Sequence, residues 1–84
     1  MVNEIVIRTF CQSMGATLNL TGSHCSVRNG VLFSYETPIA RWEGGRIKLN
    51  YYRFSQTTRV QQNHVLRYAP GLVDCYEKKI EVTK

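Results

Sequence analysis

The stretch Arg41-Trp42-Glu43-Gly44-Gly45-Arg46-Ile47-Lys48-Leu49-Asn50-Tyr51-Tyr52-Arg53-Phe54 gathers cations and aromatic rings more densely than any other part of the chain. If Arg46 to Phe54 is a strand, alternation puts Ile47, Leu49 and Tyr51 on one face and Arg46, Lys48, Asn50 and Tyr52 on the other. A Gly44-Gly45 hairpin brings Arg41 across to the cationic side. Cations and rings on one sheet face hold single-stranded nucleic acids or nucleotides, by phosphate contacts and by stacking on bases. On this reading Arg41, Arg46, Lys48 and Arg53 meet phosphates, and Trp42 or Tyr52 stacks. The alternative is a solvated hairpin face, where Lys and Arg are ordinary. A second anion site is expected where Thr57 and Thr58 open a helix, flanked by Arg53 and Arg59, because free amides and the helix dipole favour negative charge there. Simple capping by a threonine is the competing account.

Other chemistries find little support. Metal binding would draw on His24, Cys25, His64, Cys11 and Cys75, but the only close pair is the adjacent His24-Cys25, unlike the spaced pairs of structural zinc sites. A Cys/His nucleophile lacks an accompanying glycine-rich active-site turn or nucleophile elbow. Four of the six acidic residues lie toward the chain ends, which disfavours paired-carboxylate catalysis. Gly44-Gly45 is explained by turn geometry and forms no phosphate loop. The expectation is a binding protein, not an enzyme, with no cofactor.

The elements that must position these residues follow from pattern. Glu4 to Phe10, rich in β-branched residues, predicts a first strand, turned by Ser13-Met14-Gly15. Ala16 to Thr21 predicts a second, with Leu18 and Leu20 on one face. Asn29-Gly30 predicts a tight hairpin joining Cys25-Ser26-Val27 to Val31–Tyr35, and Thr37-Pro38 is expected to interrupt the ladder before it restarts at Ile39. A glycine-free run predicts a helix over about residues 58–68, ended by Pro70-Gly71, and Leu72 to Val82 predicts a last strand. The fold class is therefore α+β, mainly β: an antiparallel β-hairpin sheet or small open barrel with one short helix.

A length of 84 residues predicts one domain, and 43% hydrophobic with 20% charged residues predicts order nearly throughout. A domain this small gains from association, so a homodimer is an option. Three widely spaced cysteines exclude a full disulfide framework and are expected to be reduced and buried. Absence of a long apolar run or of a leader-like start predicts a cytoplasmic protein without a membrane partner. The net charge of +5 is concentrated: Arg28 to Arg67 holds seven basic residues against two acidic ones.

Phe33-Ser34-Tyr35-Glu36-Thr37-Pro38-Ile39-Ala40, then Ile47-Lys48-Leu49-Asn50, then Phe54-Ser55-Gln56-Thr57-Thr58, resembles a family of small uncharacterised phage and prophage proteins. Its pattern is S-Y-x-T-P-I-A, a hairpin, an Asn, then Y-S-x-T-T and a helix. The resemblance covers about residues 31–66, with Phe54 in place of the usual Tyr. It implies an accessory factor in a bacterial host's cytoplasm that blocks a defence system, anti-CRISPR-like, by binding a host protein or an anionic nucleotide or nucleic acid. A direct nucleic-acid binder and a small structural virion component are the alternatives.

Overall fold

The computed structural model describes residues 2–79. Helix α1 (Asn3–Gln12) comes first, followed by β1 (Leu20–Thr21), β2 (Cys25–Arg28), β3 (Val31–Ser34), β4 (Thr37–Glu43) and β5 (Arg46–Asn50). Helix α2 (Gln56–Tyr68) then leads to β6 (Val73–Tyr76). The strands form one open sheet in the order of the sequence. Neighbours from β1 to β5 are antiparallel, and β6 runs parallel to β5 because α2 carries the chain back to the start of the ladder. The fold is thus α+β with an antiparallel-rich sheet, as the patterning predicts, but with two helices and no barrel closure.

The first strand expected from Glu4 to Phe10 is a helix. Val6, Ile7, Phe10 and Cys11 are its buried residues, a spacing that makes one helical stripe, whereas Ile5 is exposed. β-branched residues lose only a few tenths of a kcal/mol each in a helix, less than burial of their side chains returns. The second expected strand, Ala16 to Thr21, shortens to Leu20–Thr21.

The hairpins behave as their glycines dictate. Asn29-Gly30 and Gly44-Gly45 all have positive φ, the requirement of the primed turn that matches strand twist. Between them lies a third two-residue reversal at Tyr35-Glu36, so β4 begins at Thr37, before the proline. Pro38 sits within the strand opposite Phe33, where the register shifts by one residue and absorbs the missing donor. The final strand is shorter than expected, and residues 80–82 of that expectation lie outside the described residues.

Pairing fixes which side chains share a face. Val27, Leu32, Ala40, Leu49, Ile47 and Trp42 point toward the helices, where they meet Val6, Ile7, Phe10, Val65 and Ala69 in one core. Cys11 and Cys25 are buried in or beside this core, and burial pushes their thiols up to about 12 and about 11. Cys75, expected to be buried, is exposed on β6, the edge strand of the sheet. Native protein should therefore lose one thiol to a maleimide and denatured protein three, read by mass spectrometry. Modification of two or more thiols in the native state would contradict the burial of Cys11 and Cys25.

Candidate binding face

Both helices pack on one side of the sheet, so the other side is helix-free. Arg28, Val31, Phe33, Pro38, Arg41, Arg46, Lys48, Asp74 and Tyr76 share that side through the strand registers. Val31, Phe33, Pro38, Arg41, Tyr76 and Lys78 border a depression of about 450 Å3 on it. The Arg28 guanidinium lies 3.9 Å from the centroid of the Phe33 ring, a cation–π contact that holds both groups flat against the strand. Asn50, on the same side but fully buried, bonds both the carbonyl and the amide of Lys78 and so fixes the chain that follows β6.

The sequence-predicted residues divide between three places. Arg41, Arg46 and Lys48 do come together on the open face, and each is ion-paired. Arg41 meets Glu43 at 3.3 Å, while Asp74 accepts from Arg46 Nε and Nη2, both at 2.9 Å, and from Lys48 Nζ at 2.8 Å. Arg28 is paired with Glu36 at 3.3 Å. Three carboxylates thus offset four cations, and the face is less positive than the sequence count suggests.

Trp42 belongs to the other side. Alternation turns it toward α1, where its indole N–H donates to the Phe10 carbonyl at 2.9 Å. Tyr52 and Arg53 follow the strand, which ends at Asn50 and not at Phe54, because the Gln62 side chain takes the Asn50 and Tyr52 carbonyls that another strand would have used. Tyr52 stands edge-on to Phe54, and Arg53 has no ion pair among the described residues. At the helix start, Ser55 is the cap, accepting from the Thr58 amide at 3.1 Å. Thr57 is exposed there, and the Arg59 guanidinium lies over the Tyr51 ring. Thr58 is buried, with Oγ1 sharing a proton with Ser34 Oγ at 2.8 Å and taking one from Ser55 Oγ at 3.1 Å.

That last network explains the motif pattern read from the sequence. Ser34 from the first half, with Thr37 as its strand partner, and Ser55 and Thr58 from the second meet where the β3–β4 hairpin touches α2, the hydroxyl bonds running Ser34–Thr58 and Ser55–Thr58. Buried hydroxyls that satisfy one another lock the helix to the sheet at a defined angle. Their work is structural, and the rings on the open face, Phe33 and Tyr76, lie beside the motif or outside it.

The triad at Asp74 has a pH signature. Hydrogen bonds from Arg46 and then Lys48 hold its carboxyl well below the usual range, and the Tyr68 hydroxyl lowers that of Glu4. A depressed folded value means that the contribution is complete above the ordinary carboxylate pKa of about 4 and is lost as pH falls through the folded value. The urea midpoint should therefore drop below about pH 4, and Asp74→Asn should flatten part of that slope, with Glu4 supplying the remainder. An unchanged acid slope in the variant would mean that the triad does not form in solution.

The chain matches a family of unknown function, DUF8033, over residues 4–81. The chain belongs to the DUF8033 family. No characterised protein and no solved structure matches it. For this DUF8033 member, geometry is therefore the available guide to function. Among the described residues no cluster of His, Cys, Asp and Glu has the arrangement of a metal site, and no helix is long and apolar enough to cross a membrane.

Proposed function

We propose that this protein is a binding module, without catalytic chemistry of its own, whose helix-free sheet face takes up single-stranded nucleic acid. The observation that carries this reading is one shallow depression bordered by a half-buried ring, Phe33, an exposed ring, Tyr76, and the cations Arg41 and Lys78, with Arg28 over the Phe33 ring beside it. Flat rings accept bases of any sequence, and flanking cations track the phosphates. The ion pairs on this face involve side chains 37–77% exposed, so each contributes little to stability and can be exchanged for a phosphate contact.

Because three carboxylates remain nearby, the salt dependence should be shallow. Neutralising about two phosphates gives a log–log slope near −1.4 for a single strand. Fluorescence anisotropy with a labelled oligothymidylate, repeated across salt concentrations and against a duplex of the same length, tests it. Preference for the single strand supports the reading; equal binding of the duplex, or no binding at low salt, sinks it. Asp74→Asn should tighten binding and steepen the slope, because it releases Arg46 and Lys48 to the phosphates.

The phage resemblance motivates a second reading, an accessory inhibitor that uses the same face against a host defence protein or its nucleotide signal. The Ser34 to Ala40 and Phe54 to Thr58 segments support it by pattern alone. A pull-down from bacterial lysate with and without nuclease separates the two: nuclease-sensitive capture favours nucleic acid, and nuclease-resistant capture lost on Arg41→Glu favours a protein.

A further inference from the structure

We propose that the protein forms a two-fold homodimer by antiparallel pairing of β6 with β6 of a second copy, which joins the two sheets and their open faces into one. The dimer does not depend on the single-strand reading above.

The parallel register decides which backbone groups β6 has left over. The Leu72 and Tyr76 carbonyls accept from the Ile47 and Tyr51 amides, so the even-numbered residues turn their backbone groups toward β5. Val73, Cys75 and Glu77 turn theirs outward, where they meet no partner among the described residues. Past the last paired residue, the fully buried Asn50 side chain accepts from the Lys78 amide and donates to its carbonyl, in the place of another strand residue. The free edge therefore runs from Val73 to Lys78, longer than β6 itself. The opposite edge, β1, has only two residues.

Exposed edges are normally blunted by proline, lysine or an unpaired charge. β6 has no proline or lysine, and its one charge, Asp74, is drawn back over β5 by Arg46 and Lys48. The side chains then select a register. Asp74, Tyr76 and Lys78 lie on the open side. Pairing centred on Asp74 would set carboxylate against carboxylate, and pairing centred on Cys75 would set Asp74 against Tyr76. Pairing centred on Tyr76 puts that ring against its own copy and sets Asp74 opposite Lys78 of the second copy on both sides of the axis. Cys75 and Glu77 of the second copy then exchange both backbone bonds. Lys78 is exposed with no ion pair among the described residues, and Asp74 Oδ1 accepts only from Arg46, so both are ready for that contact. Because Tyr76 and Lys78 border the open-face depression, the second copy adds its own Tyr76 and Lys78 to that border. The pairing uses backbone groups, and the Cys75 thiol, perpendicular to the sheet, stays on its surface.

Sedimentation equilibrium of the full chain without nucleic acid, over about 10–500 µM, suits the weak association that a short edge supports. A monomer–dimer equilibrium is expected. Lys78→Glu leaves the backbone bonds to Asn50 in place but sets Glu against Asp74 twice, and should raise the dissociation constant at least about tenfold. Cys75→Pro removes an outward amide that β5 does not use, so it should give a monomer with an unchanged circular dichroism spectrum. Lys78→Glu decides alone should the proline variant lose that spectrum. In a Cys75→Ser background, Tyr76→Cys should form an intermolecular disulfide on mild oxidation, because opposed residues at a non-hydrogen-bonded position come within bridging distance. A monomer across the whole range, or a dimer untouched by Cys75→Pro and Lys78→Glu, would overturn the proposal. Cross-linking through native Cys75 in preference to Tyr76→Cys would overturn the register. Failure to bind oligothymidylate in a protein that still dimerises counts against the single-strand reading alone.

Discussion

Replacing Phe10 with alanine should cost about 3–5 kcal/mol of stability, the usual penalty for emptying a buried phenylalanine site. Phe10 is 1% exposed at the centre of the stripe by which α1 joins the core, and its carbonyl receives the Trp42 indole N–H. Small domains have a total stability of about 5–15 kcal/mol, so a large part of the margin would go, and the melting temperature should fall by more than about 12 °C. Trp42 is the single tryptophan and is tied to the mutated residue's backbone, so its fluorescence in urea reports the transition directly. Comparing Ile5→Ala with Ile7→Ala separates the helix from the strand that composition suggests. A strand places Ile5 and Ile7 on the same face with similar costs, whereas the helix buries Ile7 completely and leaves Ile5 39% exposed. Equal losses at the two positions would refute the helix.

The same contrast shows what the sequence makes legible. Asn29-Gly30 and Gly44-Gly45 can be read at sight, because positive φ at two successive positions leaves few residue choices. The helix from residues 58–68 is legible as well, though its true cap is Ser55: two threonines look like caps, yet Thr58 spends its hydroxyl on Ser34. Residues 4–10 mislead because local propensity favours a strand while tertiary burial of Val6, Ile7 and Phe10 decides for a helix. The parallel pairing of β6 follows from having a helix between it and β5, a consequence of topology that strand-by-strand reading overlooks.

The candidate face is half legible in the sequence for a related reason. Alternation alone places Arg41, Arg46 and Lys48 together. Asp74 lies 28 residues from Arg46 in sequence, and only the parallel register brings it between the two cations. Such non-local pairing leaves no trace in composition, so charge counted along the chain overstates charge available on the surface. Phe33 is not legible from sequence because its partners, Arg28 and Pro38, come from two different strands, one of them displaced by the register shift.

Phe33→Ala should weaken single-strand binding roughly 5- to 150-fold, the loss expected when one base loses its stacking platform. The ring is half-buried on the open face, opposite Ser26 and Pro38, and the Arg28 guanidinium lies 3.9 Å from its centroid. Removing it empties no part of the helix-side core, so the circular dichroism spectrum and the urea midpoint should change little, and the binding loss can be read as a loss of contact. Trp42 is the matched control. The sequence makes it the natural stacking residue, but its indole faces α1, so Trp42→Phe should lower stability through the lost bond to Phe10 and leave oligothymidylate affinity unchanged. The pair of variants therefore assigns binding to one side of the sheet. If Trp42→Phe abolishes binding in a folded protein while Phe33→Ala does not, the ligand sits on the helical side, and the open face serves only as a charged, solvated surface.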